Sequence, residues 1–370
     1  MVVRLRVGSL ADVGERSQLA LARRRYPGIL IPLAINALGA ITAVGDNVPL
    51  SVASIYTSGQ RLADLDVAGA GGESIVGAPA SIGEELRGAD RLRALGMRAL
   101  QECGARLTVS GARLPVVVLA PALEGYGRSA DWLLDRMLED ADLPLDREAS
   151  VVLAAGRGGE GPALATVARL LSSDAWPGCF LLGVDSVVEA ARSAPDAVAA
   201  RVASGRNPTG FVPGEAGAAA LLSLDADPAC AAIIAGAGHC VGGPAYRTPA
   251  AVLAEAAERA LADAHVRPRT LSAVSHDGPG NWSQLEELSL ADGRPPLSLA
   301  PHAQRFIPAI STGEIGAASG VLSLVLLSFL LMKEVLRRPA LALFSGEGAS
   351  RGAAVLVPAG SCVARGVNDG

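Results

Sequence analysis

Apolar and polar residues fall in blocks along this chain. Short apolar runs of strand length are followed by longer stretches with helical spacing. "ILIPLAINALGAITAVG", residues 29–45, predicts a first buried strand with a turn, and "VPLSVASIYTSGQRLA" predicts a helix behind it. Gly, Ala and Pro become dense around residues 66–84, which predicts a loop. "GADRLRALGMRALQECGA", residues 88–105, has helical spacing, and "RLPVVVLAPA" predicts a buried strand. "SADWLLDRMLEDADLP" predicts an amphipathic helix capped by Ser129, whose hydroxyl can accept a free N–H of the first turn. In "ASVVLAAGRGGEGPALATVARLL", residues 149–171, a small strand runs through a glycine-rich break into a helix. Further strands are expected at residues 178–186, at "GEAGAAALLSL" and at "ACAAIIAGAGHC".

From about residue 245 the pattern starts again. "TPAAVLAEAAERALADAHV" predicts a helix, "TLSAVSHDG" a strand and turn, and residues 316–336 a long apolar helix. "PALALFSGEGASRGAAVLVPA" predicts two strands across a Gly-rich turn. Strands that are apolar on both faces and alternate with helices predict an α/β fold whose sheet is covered on each side. The similar order of the two parts suggests internal duplication without a short repeat. The expected division is an extension over 1–28, one half over 29–244 and a second over 245–370.

Composition narrows the function classes. The 370 residues, half of them apolar, can bury a large core, and 43 glycines point to tight helix–sheet packing. A formal charge of −5 and 3% aromatic residues disfavour nucleic acid, which calls for clustered cations and stacking surfaces. The cluster Arg23–Arg25 reads as a solvated helix end. Five cysteines without CxxC spacing suit reduced thiols in a cytoplasmic protein, and no metal or cofactor is expected. The start "MVVRLRVGSL" lacks the apolar core of a signal peptide. Residues 315–332 carry no charge, but Gly, Ala and Ser fill their first third, so a buried helix is expected there and no membrane span.

The glycine-rich break raises the chemical question. A strand-to-helix elbow places its residues at the positive end of a helix dipole, where a nucleophile is activated. Here the break holds Gly156, Arg157, Gly158, Gly159, Glu160 and Gly161, with no Cys, Ser, Thr or His.

Six stretches in order give the chain a likeness. "GFVPGEAGAAALLSL" (210–224) resembles a strand turn of the β-ketoacyl synthases, within the thiolase-like superfamily. "GAITAVGDN" (39–47), "LLSSDAWPGCFLLGVDS" (170–186) and "AVSHDGPGNWSQLEELSLA" (273–291) are similar to further motifs of that family. So are "STGEIGAASGVLSLVL" (311–326) and "ALFSGEGASRGAAVL" (342–356). The resemblance implies a thiolase-like five-layered α-β-α-β-α fold of two similar halves, and a dimer formed through central strands.

The family's catalytic residues carry over only in part. Its Cys column falls on Arg157, whose guanidinium stays protonated and cannot attack a thioester. Its first His column falls on His276, but the Thr and Gly companions are replaced by Asp277, Gly278, Pro279 and Gly280. Glu287 keeps the spacing of a downstream acid. The second His column falls on Gly313 or, with one gap, Glu314, and the preceding Lys column on Pro308 or Ala309. A carboxylate there cannot donate to an enolate oxygen unless protonated. In the last glycine turn Phe344 stands at the acyl-pocket gate with Gly346 and Gly348, while Glu347 and Arg351 depart from the pattern.

Three readings follow. The resemblance implies a degenerate subunit of fatty-acid, polyketide or polyene biosynthesis, of the chain-length-factor type. It would shape an acyl tunnel as a dimer with an active ketosynthase or with itself, and an acyl carrier protein is a possible partner. The alternative is altered acyl-transfer or hydrolytic chemistry with His276 as base and Arg157 and Glu314 as charged partners. A third is an ordinary ketosynthase using Cys179 or Cys240.

Overall fold

Strands and helices alternate with a strand order that occurs twice. The structure, a computed structural model, describes residues 32–360 other than 70–71, 106, 108–112, 141, 174, 194–197, 199, 243–247, 279–280, 294–301 and 347. The expected extension over 1–28, together with Pro279, Gly280, Glu347 and Cys362, lies outside the described residues.

The first run comprises β1 (Leu33–Thr42), α1 (Val48–Tyr56), β2 (Ala63–Ala68), β3 (Ser74–Gly77) and α2 (Gly88–Gly104). It continues through β4 (Val116–Leu119), α3 (Ala130–Asp140), β5 (Val151–Leu153), α4 (Glu160–Leu171) and β6 (Cys179–Ser186), and ends with α5 (Val187–Ser193) and β7 (Glu215–Ser223). The second run comprises β8 (Ala232–Val241), α6 (Pro249–Asp263), β9 (Ala273–His276), α7 (Trp282–Asp292) and β10 (Gln304–Phe306). After it come α8 (Ala309–Thr312), α9 (Ser319–Met332), β11 (Ala340–Ser345) and β12 (Ser350–Val357).

The main strands lie in the order β10-β9-β11-β12-β8-β1-β7-β6-β4-β5. β4 runs parallel to β5 and β6, and β7 pairs antiparallel with β6 and β1. β9, β10, β11, β12 and β8 repeat that arrangement. A short antiparallel contact of Leu33–Ile35 with Ala232–Ile234 joins the two five-stranded units. By strand order the second unit opens at β8.

Alternating side chains distribute the strands between layers. Val117 and Leu119 of β4 face a central core with α4 and α9, whereas Val116 and Val118 face an outer core with α2 and α3. Ala342 and Phe344 of β11 likewise face the centre, and Leu341 and Leu343 face α6 and α7. The layers are therefore helix, sheet, paired central helices, sheet, helix. α9 is buried on nearly every side because both sheets cover it. Its fourteen residues span about 21 Å, less than a bilayer core. No helix among the described residues is long and apolar enough to cross a membrane.

Glycine sets how closely the outer helices approach. A Cβ at Gly39 of β1 would lie 2.0 Å from the Ala99 carbonyl oxygen of α2. The corresponding Cβ at Gly238 of β8 would lie 2.0 Å from that of Ala256 in α6. Each backbone contact requires glycine.

Two stretches depart from the sequence reading. The loop expected over 66–84 contains part of an antiparallel ribbon, β2 with β3. Leu65 and Ile75 bury against Val188, Val202 and Phe211, a cover far along the chain. β10 was not foreseen, because Gln304 and Arg305 are exposed and only Phe306 turns inward.

Candidate functional site

Three turns from different parts of the chain meet where the N-termini of α4 and α9 converge. The first follows β5 and enters α4 through Gly156 at φ +58° and Gly158 at φ +91°. Both are in the left-handed region, which side chains with a Cβ rarely adopt. A Cβ at Gly158 would also lie 2.4 Å from Gly346 Cα, so the elbow packs backbone to backbone on the turn after β11. Ser350 Oγ donates to the Gly158 carbonyl at 3.3 Å and lies 2.8 Å from His239 Nε2.

The elbow places Arg157 in the interior at 6% exposure. Its Nη1 donates to Glu314 Oε2 at 2.5 Å, while Glu314 Oε1 accepts the Gly316 N–H at 2.7 Å. Glu314 is fixed on both sides, its N–H donating to Val212 and its carbonyl accepting from Gly214. Of the two residues considered for this position, Glu314 reaches Arg157. Gly313 turns the chain at φ +69°. The ion pair thus joins the elbow before α4 to the turn before α9.

His276 ends β9 and is 1% exposed. The Gly278 N–H donates to its Nδ1 at 3.1 Å, which leaves the ring proton on Nε2, an atom without a hydrogen-bond partner. Burial pushes the imidazole pKa down to about 3, and the Arg157 and Arg351 charges act in the same sense. The ring is neutral near pH 7.

Two acids complete the interior. Glu160, the first residue of α4, is fully buried, and neither carboxyl oxygen has a well-aligned hydrogen-bond partner. It lies directly against α9, since a Cβ on Gly320 would fall 2.3 Å from its Oε1. Burial pushes its pKa up to about 7, against the pull of nearby backbone N–H groups and Arg157. Asp277 accepts from the Ser345 N–H at 2.7 Å through Oδ1, and its Oδ2 is unpartnered. Burial raises its carboxyl well above the ordinary range; neighbouring Glu160 adds to this and Arg157 opposes it. Both acids are thereby biased toward the neutral form.

Beside them Arg351 holds Glu287 through two bonds, 2.6 and 3.1 Å. The spacing of Glu287 and the departure at Arg351 are two ends of one contact. Phe344 is buried in the central core, Gly346 is buried under the elbow, and Gly348 is exposed with its carbonyl bound to Arg351. The three residues expected to line an acyl gate therefore occupy different environments.

No described cysteine lies on these turns. Cys179 begins β6, with its thiol pushed up to about 12 by burial, and Cys240 packs under α6 beside Val252 and Ala256. No cluster of three or more His, Cys, Asp or Glu among the described residues can hold a metal ion. Glu160, Asp277 and His239 were not singled out as site residues in the sequence. Glu160 was legible as an acid in a helix's first turn, but its burial was not.

No protein-family model matches the chain, and no curated protein matches it. Solved structures do. The ishigamide ketosynthase/chain length factor superposes with a TM-score of 0.70 at 14% identity, covering 90% of this chain and all of the other. The chain has the ketosynthase fold. The ketosynthase from module 6 of the bacillaene synthase of Bacillus subtilis 168 gives 0.67 at 14% identity, over 88% of this chain and 72% of its own. A type II acyl-carrier protein in complex with its ketosynthase gives 0.65 at 13%, over 89% and 99%. The ketosynthase fold explains why two central helices point their N-termini into one interior. What that interior can do depends on its side chains.

Proposed function

We propose that this chain is a non-condensing ketosynthase-like subunit that pairs with an active ketosynthase and shapes the acyl-binding tunnel at their interface. The observation that carries the reading is the buried Arg157–Glu314 ion pair over the N-terminus of α4. By the resemblance, that elbow would carry the attacking thiolate and the turn before α9 a hydrogen-bond donor. A guanidinium has no lone pair to offer a thioester, and a carboxylate engaged by it accepts hydrogen bonds only. Glu160 and Asp277 close the interior with two further acids in place of an acyl-accepting surface.

Pairing is supported by the sheet edge. β5 is the outermost strand of the first unit, and Val151, Val152 and Leu153 are only half buried. Exposed Ala154 and Ala155 follow. An apolar open edge is a template for another strand. A dimer through β5 would cover it and leave the site interior beside the interface.

Base catalysis by His276 is the weaker reading. An imidazole with its pKa near 3 and Nδ1 already bonded is too weak a base to take a proton efficiently at neutral pH.

The test is reconstitution. The isolated chain should form no carbon–carbon bond from acyl and malonyl thioesters. Mixed with a ketosynthase encoded beside it, it should co-elute and change the product chain length. Condensation by the isolated chain, or turnover of an acyl thioester abolished by His276→Ala, overturns the reading.

A further inference from the structure

A serine and a histidine outside the charged interior face each other across two strands. Ser350 opens β12 opposite Val241 of β8, and Gly352 lies opposite His239. Residues opposite one another share a face of an antiparallel pair, so Ser350 and His239 are diagonal neighbours on one face. Gly352, without a side chain, leaves the imidazole room to reach along that face. Ser350 Oγ lies 2.8 Å from His239 Nε2 and 3.3 Å from the Gly158 carbonyl oxygen. The hydroxyl has one proton, and rotation about its C–O bond turns that proton from the carbonyl to the nearer ring nitrogen. Nδ1 then carries the ring proton and Nε2 is the acceptor.

Both residues are half-buried and held in place. The Ser350 carbonyl accepts the Gly346 N–H at 3.3 Å and Arg351 Nη1 at 2.8 Å. The His239 carbonyl accepts Arg259 Nη1 at 3.2 Å. The imidazole packs on the first turn of α4, where a Cβ at Gly161 would fall 2.7 Å from its Cδ2. The N–H groups of such a turn have no carbonyl partner inside the helix and carry the positive end of its dipole. Burial, joined by the Arg259 charge, holds the ring below its ordinary pKa, so it is a neutral base near pH 7. Val241, on the same face, is 63% exposed and offers an apolar contact beside the hydroxyl.

We infer that Ser350 and His239 are the nucleophile and base of a second site, one that cleaves activated carboxylic esters with Val241 against the acyl chain. Ser350 Oγ bonds to the ester carbonyl carbon while its proton passes to His239 Nε2. The carbon–oxygen bond to the leaving group breaks, and the imidazolium returns the proton to the departing oxygen. Water then attacks the acyl-serine and gives one proton to Nε2. That proton restores the Ser350 hydroxyl as the carboxylic acid leaves. Among the described residues no carboxylate bonds Nδ1, so the pair activates as a dyad and selects esters with good leaving groups over amides. No carbon–carbon bond is formed, and the inference stands whether or not the chain pairs with a ketosynthase.

The full-length protein is incubated with a fluorophosphonate, which labels activated serines, and with p-nitrophenyl acetate. Peptide mass mapping should place the phosphonate on Ser350, and Ser350→Ala should abolish both labelling and ester turnover. His239→Gln should slow both at least about a hundredfold. Val241→Asp should raise KM for p-nitrophenyl hexanoate more than for the acetate. An unchanged Tm confirms that the variants fold, and the labelled position in the parent decides the matter if one does not. Label on another residue, no label in the parent, or an equal rate in His239→Gln overturns the inference. A failure of the chain to pair leaves these readouts unchanged, so the two readings fail separately.

Discussion

The two central helices occupy matching places in the repeat, yet they are entered differently. α4 follows Gly156, Arg157, Gly158 and Gly159 and carries Glu160 in its first turn. α9 follows Gly313, Glu314 and a short 3₁₀ turn over Gly316–Ala318, and carries no charged residue. One entrance supplies a cation and the other an anion, and the pair closes across the junction of the two units. Duplication of the backbone therefore fixes where the two entrances meet. The chemistry there is decided by one residue at each turn.

Removing one partner of that contact should have the largest effect. Glu314→Ala leaves the Arg157 charge buried without its carboxylate and should cost about 3–5 kcal/mol in denaturant unfolding, as should Arg157→Ala. Arg157→Met combined with Glu314→Leu should recover most of the loss. Equal loss in the double variant would show that the site needs the charges themselves.

Next comes the glycine contact between elbow and turn. Gly158→Ala places a Cβ against Gly346 at a positive φ and should cost about 1–3 kcal/mol, seen as a lower Tm. On the exposed side of the same turn Gly348 has open space around it. Gly348→Ala should stay within about 0.5 kcal/mol of the parent, the smallest change of the set.

Between these lies a pH effect that separates the two entrances further. Glu160 titrates near 7 in the folded chain against an ordinary value of 4.5. The folded state therefore holds this proton where the unfolded chain has released it. Its contribution to stability is full below about 4.5, is lost as pH rises toward about 7, and is flat above. His276, lowered from 6.5 to about 3, works oppositely, so stability gains as pH rises toward 6.5. Comparing unfolding free energy across this range for the parent and Glu160→Gln isolates the carboxyl contribution. If the difference is flat with pH, Glu160 is not held neutral by burial.

Much of the fold was legible in local pattern. The apolar runs that became β1, β4, β6, β7 and β8 are buried, and Ser129 accepts the Trp132 N–H at 3.1 Å, as its position before an amphipathic helix predicts. Local pattern does not reveal the β2–β3 ribbon, whose buried Leu65 and Ile75 are covered by residues far along the chain, or β10, which turns only Phe306 inward. Part of the site was legible as well. The elbow without a nucleophile can be read from Gly156 to Gly161, and Glu314 was one of two residues weighed for the opposing turn.

By itself, the sequence determined that strands alternate with helices, that the order occurs twice, and that the glycine-rich turn before α4 holds a permanent cation. These follow from side-chain periodicity and from the fixed chemistry of guanidinium, both local properties. Only the tertiary structure decided that Arg157 meets Glu314, that Arg351 meets Glu287, and that Glu160, His276 and Asp277 are kept from water. Each depends on turns far apart in the chain meeting where two helices converge, and burial sets which of these groups keep their charge.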